Sequence, residues 1–173
     1  MGHVYALKPE SSDYPVLDAQ WMPSFQVSKG AEFTKPYLDN LIKLGKEASQ
    51  VYSATDYDIE GEVIAANIIE FALNARQAKR MRFSTLTKSE LISAFENPEE
   101  ISEGMVSAGR ARHFLDLIWG ISFSRALMHA IRSAGLFKVM SIGRVQGPTL
   151  AILARLEKKI ASFRRIEVFS SHP

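Results

Sequence analysis

Residues 55–62 read TDYDIEGE and place four carboxylates, Asp56, Asp58, Glu60 and Glu62, within seven consecutive positions. Before them lies QVYSA, which reads as a strand. After them, Val63, Ile64, Ile68, Ile69, Phe71 and Leu73 leave almost no polar face, which predicts a largely buried helix. In a parallel α/β sheet, sites form where the carboxyl end of a strand hands over to its helix. Alternate acids in an extended segment there could converge on one hard divalent cation, and Mg2+ takes one or two carboxylates together with waters and substrate phosphates. Helix capping is the rival explanation. An acid near a helix N-terminus gains about 0.3–1 kcal/mol from the macrodipole, but one or two would serve and four crowd one another. A calcium-binding EF-hand loop fits the first half, with acids at loop positions 1, 3 and 5 and Gly61 at 6. It fails at position 12, which is Asn67 where a bidentate Glu is required.

The elements around this cluster follow from periodicity. HVYAL (residues 3–7) alternates like a short strand. Residues 8–33 carry Pro9, Pro15, Pro23 and Gly30 and read as irregular structure, pinned by Tyr14, Trp21 and Phe25. After Pro36, Leu38, Leu41, Ile42 and Leu44 are spaced for a helix weakened at Gly45. AKRMRFS is a candidate strand and TKSELISAFENP a capped helix closed by Asn97 and Pro98. The alternation predicts an α/β unit with a parallel sheet. From about Ile101 the pattern becomes nearly continuous helix: two stretches meeting near Gly120 and stopping at Gly135, then a third with Pro148 near its start.

Charge divides at the same place. Residues 1–99 hold 10 Lys/Arg against 14 Asp/Glu, a balance of −4, and residues 100–173 hold 11 against 5, a balance of +6, which sum to the net +2. Cations that hold phosphates beside carboxylates that hold a metal suit an enzyme acting on a polyanion, although uneven solvated charge alone would give the same count. The absence of cysteine excludes disulfides and thiolate metal chemistry, so the expected metal sits on oxygen ligands. No apolar run approaches the roughly 18 residues of a membrane span and no signal peptide is evident, so a cytoplasmic protein without a membrane partner is the default.

DYDIEGE resembles the Asp-x-Asp-x-Glu-Gly-Glu motif of the TOPRIM fold in type IA DNA topoisomerases. RMRFSTLT, AGRARHFLDLIWG and SIGRVQGPTL resemble later blocks of that family in the right order, nearest to archaeal topoisomerase I and topoisomerase III. The resemblance covers roughly Gly2 to Phe163. It implies a TOPRIM-like parallel sheet flanked by helices over residues 1–99 and a mainly helical segment that binds single-stranded DNA over residues 100–173. It further implies that Asp56, Asp58 and Glu60 are the catalytic acids that bind Mg2+, with Glu62 a supporting acid. Gly2 and His3 match the family's Gly-His pair, which makes His3 an active-site neighbour. Arg80, Arg112, Asp116, Arg144 and Gln146 match residues placed along the DNA. The blander readings are an Arg112–Asp116 pair at helical spacing, a turn and cap at Gly143–Gln146, and packing roles for His113, His129 and Trp119.

Two departures shape the functional expectation. Family members carry a strand with a Glu and a Lys ahead of the Gly-His pair, whereas this chain begins Met1-Gly2. The family's nucleophilic tyrosine lies well beyond the GRVQ block, whereas Tyr5, Tyr14, Tyr37, Tyr52 and Tyr57 all precede it. The expectation is a fragment of a topoisomerase that binds single-stranded DNA and Mg2+, needs no ATP, relies on the remaining topoisomerase domains, and does not cleave DNA alone. No phosphate-binding P-loop is present. The rivals are a noncatalytic single-stranded nucleic-acid-binding module and a TOPRIM nuclease or primase.

Overall fold

A computed structural model describes residues 2–75 and 78–164. They fall into two compact units, divided after Ile118. The compositional boundary near residue 100 therefore does not coincide with the compact one, which lies inside a helix.

In the first unit, β1 (Tyr5–Pro9) and β2 (Ala19–Pro23) form an antiparallel pair in which Tyr5 opposes Pro23 and Leu7 opposes Trp21. β2 lies in the stretch expected to be irregular. A four-residue helix α1 (Ser24–Val27) and a 3-10 turn (Lys29–Thr34) lead into α2 (Lys35–Glu47), which carries Pro at its start. Val4, Tyr5, Leu38 and Ile68 form the centre of the core, with Trp21, Phe25, Leu41, Ile42 and Leu73 packed on it. Trp21 and Phe25 thus pin the hairpin as expected, while Tyr14 is exposed.

β3 (Tyr52–Ser53) pairs in parallel with β4 (Lys79–Arg80), and β4 pairs antiparallel with β5 (Glu99–Glu100). The fold is mixed α/β, and its parallel pairing is confined to two short strands. Between β3 and β4 run α3 (Ile59–Asn67) and a π turn (Ile68–Ala72), closed by the bond from Leu73 N–H to the Ile68 carbonyl at 3.0 Å. Next comes α4 (Lys88–Glu96). Its Glu90 carboxylate reaches back to accept from the Ser84 and Thr85 backbone N–H groups and the Thr85 hydroxyl, satisfying donors ahead of the helix.

α5 (Glu103–Ser133) is one helix of 31 residues. The expected break at Gly120 is absent, because one glycine costs a helix only about 1 kcal/mol. In the first unit α5 lies close against α3: a β-carbon on Gly109 would overlap Val63 and Ile59. Arg110 fixes that crossing, donating to Asn67 Oδ1 at 2.8 and 3.1 Å and pairing with Glu70 at 2.6 Å. By length and composition alone α5 is also capable of crossing a membrane, a property that no unbroken apolar run in the sequence signals.

In the second unit, α5 ends at Ser133, Gly135 takes a positive φ of 76°, and an extended connection leads to α6 (Gln146–Ala161). Ile142 is tied to α5 by its N–H donating to Ser124 Oγ at 2.9 Å. That bond anchors the residues that lead into Gly143–Gln146.

Candidate functional site

The exit of β3 is held by a buried arginine. Arg80, on β4, is 1% exposed and Glu62, in the first turns of α3, is fully buried. Arg80 Nε donates to Glu62 Oε1 at 2.6 Å, while its terminal nitrogens donate to the carbonyls of Thr55 at 2.7 Å, Asp56 at 2.6 Å and Met81 at 3.1 Å. A longer bond of 3.4 Å reaches the Ser53 carbonyl. The guanidinium is consumed by fixing the loop between β3 and α3. The expectation that Arg80 touches DNA is therefore corrected: its side chain has neither surface nor donors to offer a phosphate. Glu62 is the supporting acid, and its Oε2 is buried without a protein partner among the described residues.

The loop that Arg80 fixes carries the acids. Asp58 is the N-cap of α3, accepting the Gly61 N–H on Oδ1 at 2.6 Å. Gly61 allows the tight approach, since a β-carbon there would overlap the Asp56 carbonyl oxygen. Asp56 and Asp58 are exposed. They line, with Glu60, a cleft of about 480 Å³ whose floor is Leu41, Ile64, Ile68 and Ile69.

Glu60 does not join the two aspartates around one point. Because the helix begins at Ile59, the segment is no longer extended at residue 60, and the side chain turns toward α5 and the N-terminal residues. Its Oε2 is 3.1 Å from His3 Nε2 and 2.8 Å from His113 Nε2, and its Oε1 is 3.4 Å from Arg112 Nη1. Burial pushes the Glu60 carboxyl up, but the hydrogen bonds and charges of His113 and then His3 outweigh it, so its pKa lies below the usual 4.5. Burial, and next the neighbouring His113, hold His3 below its usual 6.5 against the pull of Glu60.

Among the described residues, the His and acid side chains close enough to share one ion are His3, Glu60 and His113, with ligand atoms within 4.8 Å of one another. The expected convergence of Asp56, Asp58 and Glu60 is thus replaced by two exposed aspartates beside a histidine-bound glutamate. The donor set still fits Mg2+: the oxygens are hard, Asp58 retains Oδ2, and Mg2+ is commonly held by one or two carboxylates with the rest water.

Arg112 also lies 3.8 Å from Asp116, the spacing expected on one helix face. In the second unit, Arg144 and Gln146 are exposed at the start of α6, where no side chain caps the helix. Trp119 and Phe123 stack with centroids 4.7 Å apart and are 43% and 47% exposed. Trp119 is therefore not the packing residue its neighbours suggested.

Comparison with known proteins tests the motif resemblance directly. The Toprim domain family matches residues 1–86 and the DNA topoisomerase family matches residues 100–170. DNA topoisomerase 1 of Methanocaldococcus jannaschii is 48% identical over 167 residues, covering 94% of this chain. The chain belongs to the type IA DNA topoisomerases. DNA topoisomerase 1 of Pyrococcus horikoshii is 46% identical over 169 residues. Full-length topoisomerase I of Thermotoga maritima superposes with a TM-score of 0.69 at 30% identity, over 95% of this chain and 26% of that one. The chain spans 22% and 25% of the two archaeal relatives.

Proposed function

We propose that this chain holds single-stranded DNA and Mg2+ for the strand cleavage and rejoining of a type IA topoisomerase. The observation that carries the reading is the 3.4 Å approach of Arg112 to Glu60. A residue matching the family's DNA-lining arginine and a residue matching its metal-binding acid meet across α5 and α3, so one phosphate can be addressed by both. Mg2+ at Asp56, Asp58 and Glu60 would supply positive charge to the oxygens of the scissile phosphate.

The chain's own residues then divide the work. Arg80 and Glu62 keep the acid-bearing loop in place. Arg112, held by Asp116, offers its guanidinium to the backbone, and His3 keeps Glu60 oriented. Arg144 and Gln146 present donors beside the uncapped N–H groups of α6, a favourable place for a phosphate. Trp119 and Phe123 supply exposed rings on which bases can stack. The nucleophile is assigned to a tyrosine beyond these 173 residues, since all five tyrosines precede Gly143. The covalent phosphotyrosine would conserve the bond energy, which is why no ATP site is required.

Fluorescence anisotropy of a labelled single strand and its duplex, across a salt titration, tests this reading. The expected outcome is preference for the single strand and a log–log salt slope that falls by about 0.7 in Arg144→Ala, the value of one phosphate contact. Equal affinity for duplex, or a slope unchanged by both Arg112→Ala and Arg144→Ala, would overturn it.

A further inference from the structure

The three side chains His3, Glu60 and His113 come from the N-terminal segment, the first turn of α3 and the middle of the first unit's part of α5. We propose that they form a binding site for a zinc-class divalent cation, held by two imidazole nitrogens and one carboxylate oxygen, with a water or phosphate oxygen completing the set.

The argument rests on geometry. Both Nε2 atoms face the same carboxylate oxygen, at 3.1 and 2.8 Å. In a tetrahedral site with bonds of about 2.0–2.1 Å, ligand atoms stand about 3.3 Å apart, so a shift of a few tenths of an ångström opens the cluster around an ion. The rings are already oriented. His3 meets His113 edge to face with centroids 5.0 Å apart, and Trp21 packs on the other side of His113 at 5.6 Å. The second oxygen of Glu60 is held by Arg112 at 3.4 Å, the kind of outer contact that orients a metal-binding carboxylate. Both histidines and Glu60 are half-buried, so solvent and substrate oxygens can still reach the open position.

The donor set selects the ion. Two imidazoles and one carboxylate suit zinc and its neighbours, whereas Mg2+ prefers oxygen throughout. Without metal, each ring donates its Nε2 proton to Glu60. With metal, the proton of each neutral ring moves to Nδ1 and the Nε2 lone pair turns to the ion, so no net proton need leave the site.

The inference shares Glu60 with the Mg2+ reading, yet the two fail separately. The chain, stripped with chelator, is titrated with Zn2+ by calorimetry and with Co2+ by visible absorption. His129 and His172 remain in a His3→Gln/His113→Gln variant and give the background. One equivalent of Zn2+ is expected, weakened more than about tenfold by His113→Gln or His3→Gln, since even loss of an outer partner costs 10–100-fold. Asp56→Asn, which removes a Mg2+ ligand and none of these three, leaves the Zn2+ isotherm unchanged. Bound Co2+ shows intense bands of low coordination number. Wild-type Zn2+ binding no tighter than the double variant's, or a weak octahedral Co2+ spectrum in the wild-type chain, overturns the proposal without reference to any variant's folding. Neither result bears on Mg2+, which is read from Asp56→Asn in the DNA assay.

Discussion

Arg80 shows how one buried side chain turns a flexible acidic loop into a placed one. Its donors meet the carbonyls of Thr55 and Asp56 on one side and Glu62 on the other, so removing either member of the ion pair leaves the other charge buried and unpaired. Glu62→Ala is expected to lose about 3–5 kcal/mol in urea unfolding. Asp58 bears two duties, cap and candidate ligand, and substitutions separate them. Asp58→Ala costs about 1 kcal/mol of stability, whereas Asp58→Asn keeps the cap and leaves stability nearly unchanged while removing a carboxylate. The His3–Glu60 contact has a pH signature. Both groups titrate lower in the folded chain than in the unfolded one, so their contribution is full above pH 6.5 and is lost as pH falls, first through His3 and then, below 4.5, through Glu60. In metal-free buffer the melting temperature therefore declines below pH 6.5, and His3→Gln flattens the first part of that decline. The sequence made Asp56, Asp58 and Glu60 legible because they share a local spacing. It concealed the histidine cluster, whose members are 57 and 53 positions from Glu60 and meet only through packing.

At the level of elements, the crossing of α3 and α5 sets how far Glu60 stands from Arg112 and His113. Gly109 is the contact point, and Gly109→Ala forces the helices apart, with an expected cost of about 1–3 kcal/mol by thermal or urea melts. The same change should weaken Zn2+ binding, because His113 lies about one turn beyond Gly109. The helices were readable from periodicity: α2, α4 and α6 lie where their apolar residues put them. The strands were harder. β3, β4 and β5 are two residues each, too short to show alternation, and β2 is hidden among prolines that normally mark loops. The persistence of α5 through Gly120 shows a local breaker overridden by a long helix on both sides.

Across the whole chain, the two units differ in how much apolar surface they bury. In the second, Leu136, Phe137, Val139, Leu150, Ile152, Leu153, Leu156 and Phe163 are all more than half exposed, and α6 has no buried residue. Residues 136–145 lie outside helices, so brief chymotrypsin treatment is expected to cut first near Phe137 and release α6 from the rest, as read by mass spectrometry. First cuts inside α2 or α3 would contradict that expectation. The π turn at Ile68–Ala72 has a bearing on chain length. Its wide hydrogen bond accommodates one residue more than an α-turn would, so deleting a residue there would close the turn to ordinary pitch and rotate the segment leading to β4 by about 100° relative to Glu60 and Asn67. Natural length variation between the acidic loop and β4 is therefore best absorbed at this turn, where an added or lost residue leaves the catalytic end of α3 in register.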